Sequence, residues 1–159
     1  MADPADADHA LALALAREEF DRFDRAAEQV LIEALAAPAV GPRRAAASWL
    51  DADCPDPAAA APALLQRFAD ADDEVAAAAI DALVARKPLP LAAIESALQS
   101  SDPRVRRRAL AATSAAGAQA RPLAAKVLAL VGDPDPAVHD EACRTFFVLV
   151  VQRFALARD

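Results

Sequence analysis

Apolar residues recur along this chain with two superimposed spacings. Within short windows they fall three or four positions apart, the period of one face of an α-helix. Over longer distances three windows repeat the same order: FADADDEVAAAAIDAL from Phe68, LQSSDPRVRRRALAAT from Leu98 and VGDPDPAVHDEACRTF from Val131. In each, an apolar residue stands four positions before an aspartate (Asp72, Asp102 or Asp135), and three residues after it comes Val75, Val105 or Val138. Counting from the valine, Ala79, Ala109 and Ala142 stand at +4, Ile80, Leu110 and Cys143 at +5, and Leu83, Thr113 and Phe146 at +8. The valines are 30 and 33 residues apart. A period of this length marks supersecondary units that bury their apolar faces on one another.

Each piece of the repeat has a mechanical reason. Aspartate before proline starts a helix, because the carboxylate accepts free amide protons of the first turn and proline at the first helical position gives up no hydrogen bond. Asp102-Pro103 and Asp135-Pro136 fit directly, and Asp72-Asp73 keeps the cap without the proline. The preceding segments APALLQRFA, LAAIESALQ and RPLAAKVLALV carry apolar stripes of their own, so each unit reads as helix, short turn, helix.

Further upstream, APAVGPRRAAASWLDA (Ala37 to Ala52) aligns as a degenerate fourth unit, with Gly41-Pro42 as its turn and Trp49 or Leu50 in its core. Leu13, Ala16, Phe20, Phe23, Ala27, Val30 and Ala34 alternate at three and four residue spacing, which predicts one long helix or two stacked helices over residues 8–36. The predicted organisation is therefore a frayed end at 1–7 and one domain over 8–159. Within it, 8–52 hold the N-terminal helices and degenerate unit, 53–62 a linker, and 63–159 three clear repeats. The linker rests on DADCPDPAAAAP (Asp51 to Pro62), rich in proline and small residues.

The repeat resembles the HEAT-repeat family, above all its short bacterial form, whose units carry an Asp-Pro-x-Val-Arg turn and an alanine-rich second helix. DPRVRRRALAA (Asp102 to Ala112) is the best match, and the resemblance covers about three units from Pro62 onward. Ala76 and His139 depart from the pattern at the place of the arginine, here Arg106. The resemblance implies an all-α, right-handed solenoid of three to four helical hairpins behind an N-terminal helical extension. It also implies a concave surface lined by second helices, and protein binding as the common use.

Composition agrees with helices. Of 159 residues 56% are hydrophobic, mostly alanine, with three glycines, no tyrosine and 4% aromatics; alanine favours helix and lets helices approach closely. The abundance of Ala, Arg, Asp and Pro hints at a high-GC bacterial source. Cys54 and Cys143 form no ligand or disulfide pattern, which points to a reducing cytoplasm. The acidic N-terminus lacks a secretory pattern and its apolar part is short for a membrane span. A net charge of −7 opposes general affinity for polyanions.

Little raw material for catalysis is present. His9 reads as solvated, and His139 as a polar contact to a neighbouring turn. Cys143, at the position of Ile80 and Leu110, reads as a small buried hydrophobe. The acidic run Asp70 to Glu74 reads as a helix cap and lacks the spacing of a calcium loop. No cofactor is expected, and no metal ligand set is formed by His139 with Asp140 and Glu141, which point in different directions on a helix.

The expected function is a non-enzymatic interaction module: an adaptor, an assembly factor or a toxin-neutralising immunity-type protein with a protein partner. Its contact residues are Asp81, Arg107, Arg108, Asp140, Glu141, Arg144, Phe147 and Val151. Arg106 is expected to brace an adjacent turn, and Arg107 and Arg108 to be exposed. The apolar run FFVLVV (Phe146 to Val151) wraps around a helix. It is read as packed within the chain in preference to a homo-oligomer contact, with both readings open. The alternatives are nucleic-acid binding through the basic stretch from Arg104 to Lys126, as some HEAT-like DNA glycosylases do, and an accessory role beside a lyase, as some bacterial HEAT-like proteins have in bilin attachment. Acidic neighbours and scarce aromatics weigh against the first, and no catalytic pair supports the second.

Overall fold

A computed structural model describes residues 25–50 and 56–155 of the chain, and every described element is helical, with no strand among them. Eight α-helices follow in order among the described residues: α1 (Arg25–Ala34), α2 (Val40–Trp49), α3 (Pro57–Gln66), α4 (Asp73–Ala85), α5 (Leu91–Leu98), α6 (Pro103–Ala116), α7 (Ala124–Leu130) and α8 (Pro136–Ala155). Short 3₁₀ turns cover Arg67–Ala69 and Gly117–Leu123. The chain divides into two compact units at the Lys87–Pro88 junction.

In the first unit α1 and α2 form one hairpin and α3 and α4 another, with α2 packed along α4. In the second unit the hairpins are α5 with α6 and α7 with α8, and α6 packs along α8. The helix starts follow the capping chemistry of the sequence. The carboxylate of Asp72 accepts the Val75 amide at 2.9 Å, that of Asp102 the Arg104 amide at 2.8 Å, and that of Asp135 the Ala137 and Val138 amides at 3.0 and 3.1 Å. At the other end of α6, Gly117 adopts φ 53° and its amide donates to the carbonyls of Thr113 and Ser114. That backbone is open to glycine and strained for other residues.

Small side chains set the helix packing. Ala79, Ala109 and Ala142 are all fully buried, as is Ala46 at the equivalent place in α2. Their lack of bulk lets paired helices approach, with Leu50, Leu64, Leu83, Ile94, Leu98, Leu110 and Val127 filling the space beside them. Thr113 and Thr145 are buried too, and each hydroxyl donates to a carbonyl: Ala109 at 2.7 Å and Leu110 at 3.2 Å. The fourth copy of the repeat falls on α2, but Gly41-Pro42 is not its turn: α2 already begins at Val40, and the turn is formed by the residues before it. Pro42 is buried at the place of Val75 and Val138, Leu50 is buried at +8, and Trp49 is half-buried.

Three further expectations need correction. The stretch 53–62 is no linker over its second half, since α3 begins at Pro57 and runs through Pro62. Proline in the first turn costs no hydrogen bond, and Pro62 sits exposed while Ala60, Ala61 and Leu64 of the same helix are buried; their burial and alanine's propensity outweigh the missing donor. Cys143 is exposed, because in α8 the buried places go to Val138, Ala142, Thr145 and Leu149. Arg108 is only 7% exposed, which contradicts the expectation of a solvated side chain. It stands directly before the buried Ala109 and Leu110, on the covered side of α6.

The readings for residues 1–24, His9 and Cys54, and for the side chain of Val151, lie outside the described residues. No described helix is long and apolar enough to cross a membrane.

Candidate interaction face on the second helices

The second helices α4, α6 and α8 each begin at an aspartate-bearing turn, and within each unit one arginine ties two successive turns together. In the second unit Arg106 donates from Nε and Nη2 to both oxygens of Asp133, at 2.8 Å each, and from Nη1 to the carbonyls of Ser100 and Ser101 at 2.9 and 3.1 Å. In the first unit Arg43 repeats the arrangement. Its Nε and Nη2 meet Asp70 at 2.8 and 3.0 Å, and its Nη1 meets the carbonyls of Ala37 and Pro38. In both cases arginine and aspartate are 27 residues apart.

The aspartates also accept a backbone amide two residues on, Asp72 and Asp135 respectively, which shapes the turn. Hydrogen bonds from Arg106 hold the Asp133 carboxyl below its ordinary value of 3.8; they outweigh burial and are helped by the Asp135 amide. For Asp70 burial is the largest single influence and pushes upward. The Arg43 and Asp72 hydrogen bonds and the charges of Arg43 and Arg67 together outweigh it, so this carboxyl is also lowered. The expected role of Arg106 as a brace is thus seen in its contacts, whereas Arg43 was missed in the sequence. The shared spacing of 27 was the signal that could have found it. The fully buried guanidinium of Arg86 caps the end of α4 by donating to the carbonyls of Leu50 and Ala82.

These pairings disperse the basic stretch. Arg104 is held by Asp102 at 2.9 Å, Arg106 by Asp133, and Lys126 by Glu95 at 3.0 Å, while Arg108 is covered. Arg107 and Arg121 remain as exposed cations of that stretch with no ion pair among the described residues.

With the turns fixed, each unit presents the outer positions of its own second helices. In the first unit Asp81 is exposed at the edge of a 330 Å³ groove between α2 and α4, lined by Ala47, Ser48, Leu50, Ala78 and Ala82. Nearby on these helices Arg44 is engaged by Asp72 and Glu74, at 3.2 and 2.6 Å. In the second unit Arg107 is exposed on α6. On α8 Asp140, Cys143, Arg144 and Phe147 are all exposed, and their spacing of three, four and seven puts them on one side of the helix. Glu141 is half-buried and holds Arg144 at 2.8 Å. That hydrogen bond is the main cause raising the Arg144 pKa, with the charges of Glu141 and Asp140 adding to it.

Of the residues chosen from sequence, the structure therefore brings Asp140, Arg144 and Phe147 onto one face, with Glu141 bracing it. Arg107 lies on the helix packed beside that face, Asp81 belongs to the other compact unit, and Arg108 is covered. Phe147 is 63% exposed, the largest exposure of a big apolar side chain among the described residues. Within FFVLVV only Leu149 is buried among the described side chains; Phe146, Val148 and Val150 are half-covered.

His139 makes its polar contact with the turn next to its helix, through Nδ1 to the Val131 carbonyl. No group of three or more acidic, histidine or cysteine side chains that could hold a metal occurs among the described residues. Compared with family models and with curated proteins, the chain matches none.

Proposed function

We propose that the chain is a non-enzymatic protein-interaction module of HEAT-like hairpins stacked as a solenoid. In this reading it is an adaptor, assembly factor or immunity-type protein of a bacterial cytoplasm, and it docks a protein through its second helices. The observation that carries the reading is Phe147, an exposed aromatic flanked on one helical face by Asp140 and Arg144. An aromatic anchor inside a rim of both charge signs suits a folded protein surface, where the ring supplies area and the charges supply register. The dispersal of Arg104, Arg106 and Lys126 into ion pairs favours this over a phosphate track, which needs free cations in a row.

The test is affinity capture from the native host with the wild-type chain, an Arg107→Glu/Arg144→Glu variant and Phe147→Glu. A protein retained by wild type and lost from both variants is the expected result. Retention unchanged in both removes the α6–α8 face as the docking surface. Nucleic acid that co-purifies at low salt and is lost with Arg107→Glu/Arg144→Glu would replace the protein partner with a polyanion.

A further inference from the structure

His139 and Cys143 stand four residues apart on α8, both exposed, with Nε2 of the imidazole 3.8 Å from the thiol sulfur. The other ring nitrogen, Nδ1, lies against the Val131 carbonyl. A carbonyl can only accept, so this contact requires the proton on Nδ1. In the neutral ring Nε2 then carries the lone pair, and it is Nε2 that faces the thiol. The turn before α8 thus selects the tautomer that can take the thiol proton.

Neither packing nor a metal explains the pair. Cys143 occupies the repeat position at which Leu110 is fully buried, yet it is exposed, so its side chain fills no core. His139 and Cys143 offer two donors, and no third joins them among the described residues.

We propose that Cys143 is a nucleophilic thiol, with His139 as its base, that exchanges with the disulfide of a low-molecular-weight thiol. The proton passes from Sγ to Nε2 of His139, and the thiolate attacks one sulfur of the disulfide. A bond forms between that sulfur and Cys143 as the original S–S bond breaks with its electron pair on the departing thiolate. The leaving thiolate takes the proton back from the imidazolium. Cys143 is oxidised to a mixed disulfide, one half of the incoming disulfide is reduced to a thiol, and no further reagent is needed. The adduct sits on the outer side of α8, between Asp140 and Phe147. The inference does not depend on the interaction reading.

The experiment uses the full chain with Cys54→Ser and oxidised glutathione as the probe, following the added mass and mapping it to a peptide. An adduct on Cys143 is expected, forming at least about threefold faster than in His139→Gln or His139→Asn, both of which keep a polar side chain but cannot take up the proton. Circular dichroism of the two variants checks that their helices are intact. A smaller difference in both variants, or no adduct on Cys143, overturns the proposal. Acceleration of the wild-type reaction by a chelator would also overturn it, since it would mean that a metal occupies the pair.

Discussion

Asp133→Asn is the sharpest probe of how the turns are held. Asparagine keeps the shape and one acceptor for the Asp135 amide, but it removes the charge that meets Arg106 through two 2.8 Å bonds. The side chains are 14% and 4% exposed, so water cannot fully replace the lost partner. Arg106 keeps its bonds to the Ser100 and Ser101 carbonyls, which limits the loss. Charge-assisted hydrogen bonds contribute about 1.5–3 kcal/mol net. We therefore expect a destabilisation of about 2 kcal/mol, below the roughly 3–5 kcal/mol of a broken pair deep in a core.

For a chain of this size that corresponds to a fall in Tm of about 4–8 °C. Urea unfolding followed by circular dichroism reads it, and a double-mutant cycle with Arg106→Gln isolates the pair. Because the native carboxyl titrates below 3.8, its stabilisation is complete above that value and is lost as pH falls through the lower native one. The gap between wild type and Asp133→Asn should therefore close in acid. A cost below about 0.5 kcal/mol at neutral pH, the range of a surface ion pair, would refute the brace.

Other substitutions test the packing. Ala109→Leu places three extra carbons at a fully buried helix contact and should cost about 1–3 kcal/mol in the same assay. Thr145→Val removes the hydroxyl bond to the Leu110 carbonyl inside the second unit and should cost about 1 kcal/mol. Pro62→Ala restores a helical donor at an exposed interior position of α3 and should raise stability, by about 1 kcal/mol or more, in thermal melts. A loss of stability there would mean that α3 is not continuous through Pro62.

The helix pairs were legible because their signals are local: aspartate caps, proline at the first helical position, and alanine at +4 from each valine. Arg43 was hidden because its partner, Asp70, lies 27 residues away, and such a contact is visible only once the repeat has been extended to α2. Pro62 was misread because proline is a local breaker, whereas the burial of Ala60, Ala61 and Leu64 that overrides it is tertiary. Arg108 and Cys143 failed for one reason. The repeat fixes which side of a helix is covered, yet neighbouring packing decides how far that cover extends: Arg108 falls inside its edge and Cys143 outside. On α8 the three-, four- and seven-residue spacings that put Asp140, Arg144 and Phe147 on one side are visible in the sequence, while the exposure of Phe147 and the contact of Nδ1 of His139 with the Val131 carbonyl depend on how the helix packs.

The central claim, that the outer face of α8 docks a protein, is tested most directly by photo-crosslinking. A benzophenone side chain replaces Phe147 in one chain and the exposed Gln119, in the 3₁₀ turn of the same unit, in another. Irradiation in the native host should give a discrete protein adduct from position 147, absent from position 119 and lost on adding Arg107→Glu/Arg144→Glu. Equal labelling from both positions, or an adduct indifferent to the two arginines, would contradict the account.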